Sequence, residues 1–422
     1  MPTLLLLASI AVLNAASIRD EAFRPQFHFS PEKNWTNDPC GLIYSNGQYH
    51  LFFQFNPAGD QWGHMTWGHA VSRDLVRWTE VSPGIPESDG VMIFTGSSVL
   101  DANRIVSVYT GHRGREGNKP GRQHQNLAFS ADGRSWTKFE GNPVLDIGEE
   151  DFRDPKVFWH ETTKKWIMLV MLPKQYKAQF YSSPDLKKWT HLSDFGPEGA
   201  TSGIWECPDI YELPVDGNAK NTRWVLKIGI NPGHIAGGSG EQYFVGRFDG
   251  TRFVNDNPRD TTLWTDYGRD CYCEFSFTNA PRQIAPVALG WMSNWQYASK
   301  SPTSPWRGQM TIPRRLSLET TPGGIRLVQS PVDALKGLRG PKTADLSVLR
   351  GTYEVAFSLD PKKEFRMELP GATLGYDPAT SQVYLDRTKG NADLGPRFPS
   401  RTALGAGRWW ASAPAWCGSS AS

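Results

Sequence analysis

The chain has 422 residues, with 45 Lys+Arg against 43 Asp+Glu and a formal net charge of +2. That balance argues against nucleic acid or an anionic membrane surface as partner, since either calls for a basic stripe. A mean hydropathy of −0.47 excludes a polytopic membrane protein. With 41 Gly, 31 Pro and 17 Trp, the composition suits short strands and tight turns rather than a helical bundle.

At the N-terminus, Leu4 to Leu13 is apolar apart from Ser9, and small residues Ala15-Ala16-Ser17 follow. Such a run is too short to span a bilayer and matches a signal peptide over residues 1–17, which predicts secretion. The alternative is a buried N-terminal strand. Next, the turn signal Asn46-Gly47 introduces a β-rich run from Gln48 to Phe55. Lys156–Trp159 with Lys165–Met171, and Asp209–Leu213 with Arg223–Ile230, predict two more hairpins.

Three segments repeat Ser-x-Asp-x-x-x-Trp-Thr, at Ser72 to Thr79, Ser130 to Thr137 and Ser183 to Thr190. Their tryptophans lie 58 and 53 residues apart. A period near fifty predicts a β-propeller, one four-stranded blade per repeat. Three acids beside prolines, Asp38, Asp154 and Glu206, keep this rhythm, 116 (twice 58) and then 52 residues apart. The skipped slot falls at Gly96, and a further step lands on Asp266. Five such positions would begin five innermost strands and gather three distant carboxyl groups in one cavity.

A funnel holding such carboxyl groups, without a phosphate cradle, suits glycoside hydrolysis, which needs one carboxylate as nucleophile and a second carboxyl as acid and then base. Glu206 lies between Trp205 and Cys207, an apolar setting expected to keep its proton. Arg153 precedes Asp154 and is expected to hold that aspartate ionised. Local chemistry therefore casts Glu206 as the acid, and Asp38 or Asp154 as nucleophile or charge stabiliser. His50, His64 and His69 form no ligand set, so no metal is expected. The five cysteines (Cys40, Cys207, Cys271, Cys273 and Cys417) are odd in number, and a disulfide-stapled scaffold is not expected.

These segments resemble a known family. Trp35-Thr36-Asn37-Asp38-Pro39-Cys40-Gly41, Phe94-Thr95-Gly96-Ser97, Phe152-Arg153-Asp154-Pro155-Lys156 and Trp205-Glu206-Cys207-Pro208-Asp209 are similar to motifs of the secreted β-fructofuranosidases, glycoside hydrolase family thirty-two. Trp264-Thr265-Asp266-Tyr267-Gly268 and Trp291-Met292-Ser293-Asn294-Trp295 extend the match from about Phe27 to Val332. The look is nearest to levanase and exo-inulinase members.

The resemblance implies an all-β chain: a five-bladed β-propeller at 25–335 and a β-sandwich, here partial, at 336–401. It implies Asp38 as nucleophile, Glu206 as acid/base and Asp154 as transition-state stabiliser, with retention through a covalent fructosyl-enzyme. Trp35, Asn37, Gln54, Trp62, Phe94, Thr95, Arg153 and Trp295 would bind the terminal fructose. A fructan or sucrose would be the substrate, with no cofactor, no nucleic acid or membrane partner, and a monomeric state.

The chain departs from the family at two places. Cys40 stands where the nucleophile motif usually has Asn, and a hydrogen bond near Asp38 is expected to be lost. Residues 402–422 form a tail without alternation, expected to be a frameshifted end. The alternatives are a sucrose-preferring invertase, a fructosyltransferase, or a non-catalytic carbohydrate-binding propeller.

Overall fold

The computed structural model describes residues 7–10, 21, 23–117, 120–281, 286–343, 353–356, 360–369, 372–387 and 401–404. Among these, the chain is built almost wholly of strands, and helix is confined to short 3₁₀ segments such as Pro173–Gln175. Strand β1 (Leu7–Ile10) lies near the N-terminus, within the expected leader, and pairs with strands from late in the chain. An antiparallel sheet follows from β2 (Asn34–Ser45), β3 (Gln48–Phe55), β4 (Thr66–Ser72) and β5 (Thr79–Val81). The second sheet has β6 (Met92–Asp101), β7 (Arg104–Arg113), β8 (Arg122–Ser130) and β9 (Thr137–Lys138). The third has β10 (Arg153–His160), β11 (Lys165–Leu172), β12 (Lys177–Ser183) and β13 (Thr190–Phe195).

The fourth group is β14 (Ile204–Val215), β15 (Asn218–Asn231), β16 (Gly240–Phe248) and β17 (Phe253–Asn255), with β18 (Leu263–Trp264) paired to β16. Strands β19 (Tyr272–Ser276) and β20 (Val287–Trp291) come next. Strand β21 (Trp306–Arg307) returns to pair in parallel with the start of β2. Strands β22 (Arg314–Thr321) and β23 (Gly324–Pro331) complete a fifth antiparallel group with β19 and β20, joined to the fourth by one bridge, Val215 to Leu318. Strands β24 (Lys342–Thr343) and β25 (Tyr353–Ala356) flank β1. A last sheet has β26 (Phe365–Leu369), β27 (Ala372–Asp377), β28 (Gln382–Asp386) and β29 (Arg401–Leu404). The remainder of the expected leader, and 405–422 of the atypical tail, lie outside the described residues.

Packing follows chain order and returns on itself. Ile93, Ile105 and Ala128 of the second sheet pack on Ile43, Phe52 and Trp67 of the first. Alternate residues of β11 serve both its neighbours. Met168, Val170 and Leu172 face the second sheet with Val106 and Leu127, whereas Ile167, Leu169 and Met171 meet Leu226, Ile228 and Phe244 of the fourth. A strand covered on both faces needs an unbroken apolar run, which is why Ile167 to Leu172 shows no alternation. The fifth group packs on the fourth through Ala288, Leu316 and Leu318, and on the first through Phe275, Val287 and Leu289.

The repeated motif is the turn from third to fourth strand. In each copy the serine hydroxyl donates to the aspartate, whose Oδ1 accepts two backbone N–H groups, as Asp74 does from Val76 and Arg77 at 2.9 and 2.8 Å. The tryptophan indole then donates back to the carbonyl of Leu75, Gly133 or Leu186. These short local bonds specify the turn. Asp249 makes the same two backbone contacts, to Thr251 and Arg252. It is a fourth copy, unread in the sequence because Arg247 and Phe253 replace the serine and tryptophan.

The first strand of each of the five groups carries a bulge where two residues oppose one: 37–38, 94–95, 154–155, 207–208 and 273–274. This register corrects the spacing argument. Asp38 is the second bulge residue, Asp154 the first, and Glu206 the residue before its bulge, so the acids are close but not equivalent. The fifth position falls at Cys273 and Glu274 rather than Asp266, because the loop before β19 is longer.

Candidate active site

All three acids sit at or beside these bulges, where an inserted residue bends the strand and re-aims side chains. Asp154 and Cys207 adopt left-handed backbone (φ 67° and 49°), a conformation that clusters at functional sites in residues other than Gly. Cys207 is where the acids meet. Its N–H donates to Asp154 Oδ2 at 2.9 Å, its sulfur lies 3.7 Å from Asp38 Oδ2, and Glu206 precedes it.

Asp38 is buried. Thr95 donates to its Oδ2 at 2.8 Å, while Oδ1 accepts no hydrogen bond from the described residues. Burial pushes its carboxyl up to about 7, the Asp154 charge adds to this, and Asn37 and Thr95 oppose it. Asp154 is likewise pushed up to about 7, by burial first and against the pull of Arg153.

Arg153 does not hold Asp154 ionised as expected, because burial outweighs its charge. The Arg153 guanidinium donates to Glu206 Oε1 from Nε at 3.1 Å and Nη2 at 2.8 Å, and comes only within 4.0 Å of Asp154. The bulge at Asp154 breaks the strand alternation and brings both side chains to the site, with the hydrogen bonds of Arg153 going to Glu206. Nor is Glu206 in an apolar setting: Tyr272 donates its hydroxyl to Oε2 at 2.5 Å. Arg153 is held in turn by Asp151 (2.8 Å) and Gln123 (3.2 Å). Burial works against its charge, but Glu206, Asp154 and Asp151 outweigh it and keep it cationic.

The proposed sugar-binding residues gather in two sets. The Trp35 indole donates to Asn37 Oδ1 at 2.8 Å, and its ring stacks on Trp295 with centroids 6.0 Å apart. Gln54 lies opposite the bulge at Asp38 and donates to the Ile93 carbonyl at 3.0 Å. Trp62, 45% exposed, stands edge-on to Phe94, which stacks on His112. Cys40 is fully buried, 3.4 Å from the Asp38 carbonyl, and burial pushes its thiol well up, so it is no reactive thiolate.

A disulfide was not expected, yet Cys207 is bonded to Cys273. Cys273 sits in the bulge of β19 with left-handed backbone (φ 48°), so the regular alternation of the strand does not apply there. Asp38, Cys207 and Cys273 lie close enough to suggest a metal site, but the two sulfurs are bonded to each other and offer no thiolate. Sequence reading also missed Tyr272, Gln123 and Thr110, whose hydroxyl accepts the Asp154 N–H at 3.0 Å. The alternating Gln123 and Gln125 in β8 were the available signal for a polar strand face.

A cavity of about 350 Å³ lies towards the C-terminal ends of β6, β10 and β14, lined by Leu100, Trp159, Glu212, Trp224 and Asn279 among others. None of the three acids lines it.

Residues 28–331 match the N-terminal domain of glycosyl hydrolases family 32. The chain is 43% identical over 436 residues to a levanase of Bacillus subtilis, covering 94% of this chain and 63% of the levanase. It thus spans less than two thirds of that relative. An extracellular exo-inulinase of Aspergillus niger is 38% identical over 432 residues, 88% of this chain and 80% of the relative. Among solved structures, exo-inulinase from Aspergillus awamori is similar with a TM-score of 0.79 and 32% identity, over 92% of this chain and 87% of that one. A fructofuranosidase from Schwanniomyces occidentalis complexed with fructose gives 0.77 and 33%, over 93% and 86%.

Proposed function

The chain belongs to glycosyl hydrolase family 32, and from that membership we propose a secreted, retaining hydrolase that frees terminal β-D-fructose from levan and inulin, and from sucrose. The five strand groups, packed in chain order with the last on the first, support reading them as the blades of a propeller whose inner strands surround the site. The observation that carries the function is the meeting of three carboxyl groups from three sheets around Cys207, with Asp38 Oδ1 accepting no hydrogen bond from the described residues.

In this reading Asp38 attacks the anomeric carbon of the terminal fructose as Glu206 gives its proton to the departing oxygen. Water, losing a proton to Glu206, then attacks the same carbon and releases Asp38, so configuration is retained. Asp154 stabilises the positive charge that develops on the sugar. Asn37, Gln54, Thr95 and Arg153 offer hydrogen bonds to its hydroxyls, and Trp35, Trp62, Phe94 and Trp295 supply apolar faces. The product profile on inulin tests this. Free fructose alone, from the first minutes, is expected. A ladder of oligosaccharides would mean internal cleavage, and no product at all would refute the proposal.

A further inference from the structure

We infer that His112 is a specificity-determining residue, which meets the sugar on the leaving side of the scissile bond. The inference rests on the reading of Glu206 as the acid. His112 lies in β7, two residues beyond Thr110, and β7 pairs with β8 in unbroken register from Ile105 to Arg113. Residues two apart on a regular strand share a face. Thr110 marks the floor of the site: its hydroxyl accepts the Asp154 N–H at 3.0 Å and donates to Gln125, its partner on β8, at 2.8 Å. His112, paired with Gln123, stands one step of about 7 Å farther along that face. Thr110 is fully buried and His112 half-buried, so the step leads outward.

Two contacts tie His112 to the site. Its ring stacks on Phe94, with centroids 4.4 Å apart and planes 12° from parallel, and Phe94 in turn meets the exposed ring of Trp62. On the other side, Gln123 Oε1 accepts from the Phe152 N–H at 2.9 Å and from Arg153 Nη1 at 3.2 Å, so its amide nitrogen is the donor to His112 Nδ1 at 3.3 Å. Burial, and then the Arg153 charge, hold the imidazole below its usual range, so it is neutral at neutral pH. A neutral ring whose Nδ1 accepts carries its proton on Nε2. Arg153 also holds Glu206 Oε1, which places the imidazole on the acid's side of the site. The departing sugar must lie against the acid that protonates its oxygen. His112 offers that sugar a hydrogen-bond donor, in one wall with Phe94 and Trp62.

The test measures kcat and KM on sucrose and inulin, and the inhibition constant of free fructose, which occupies only the place of the terminal fructose. Wild type, His112→Ala and His112→Phe are compared. The phenylalanine variant keeps a ring against Phe94 and loses the donor, so it reads the inference even if the alanine variant fails to fold. KM for sucrose is expected to rise at least about fivefold in both, with kcat and the fructose constant within about twofold of wild type. The ratio of kcat/KM on sucrose to that on inulin is expected to change at least about threefold, because glucosyl and fructosyl leaving units place their hydroxyls differently. An unchanged KM or an unchanged ratio in His112→Phe would overturn the inference. So would a fructose constant weakened in step with KM, since His112 would then serve the terminal fructose. Fructose release by neither wild type nor variants would instead refute the hydrolase reading, and the inference with it.

Discussion

Asp38 and Asp154 are carboxyl groups whose burial works against their charge. Each is pushed from near 3.8 up to about 7, and each charge is made costlier by a neighbouring acid. A carboxyl raised on folding binds its proton more tightly in the native state, so its stabilising contribution is present below pH 4 and is lost as pH rises to about 7. Asp38→Asn removes that penalty together with the nucleophile. The variant is expected to be inactive, yet to melt at least ~2 °C above wild type at pH 7.5, the gap closing by pH 4. Thermal unfolding at the two pH values checks this, and an equal gap at both would contradict it. That Asp38, Asp154 and Glu206 come together was legible in the sequence, but their electrostatics were not. Reading Arg153 against its chain neighbour missed both the burial that outweighs it at Asp154 and the partner it hydrogen-bonds, Glu206.

Bulges and the disulfide act at the level of the strand. Bulges cannot be read from a single sequence, since an extra residue shows only when partner strands are in register. That is why even spacing found the acids but misplaced the fifth position at Asp266. The Ser-x-Asp-x-x-x-Trp turns were legible because their bonds lie within one short segment. Strands β14 and β19 are tied by Cys207–Cys273 across a sequence separation of 66 residues, and closing such a loop contributes about 4 kcal/mol in the chain-entropy picture. The variant Cys207→Ala/Cys273→Ala is expected to lower the thermal midpoint and to reduce kcat more than it raises KM, because the contact between Glu206 and Tyr272 loosens. Unchanged melting and turnover would show that the strands hold their register without the bond.

In the whole molecule, each of the five strand groups contributes to the candidate site: Asp38 from the first, Thr95 from the second, Arg153 and Asp154 from the third, Glu206 from the fourth and Tyr272 from the fifth. The centre is fixed further by buried ion pairs, Lys156 with Asp209 at 2.7 Å and Lys227 with Glu274 and Glu241 at 2.8 and 3.1 Å. A lysine inside the apolar run Trp224 to Ile230 was the sequence signal for that cluster, since a buried charge needs partners. The last sheet packs on the loop that precedes β19. Tyr376 and Val383 pack with Tyr267, and Arg387 pairs with Asp270 at 2.6 Å.

Because the site draws on residues spread from Asp38 to Tyr272, the chain should be assayed whole, and one measurement bears on the central claim most directly. Fructose release from inulin, levan and sucrose is compared between wild type and Glu206→Gln. Release by the wild type, reduced at least about a hundredfold in the variant, is the expected result. Wild-type release no greater than that of the variant would contradict the assignment of this chain as a fructose-releasing hydrolase.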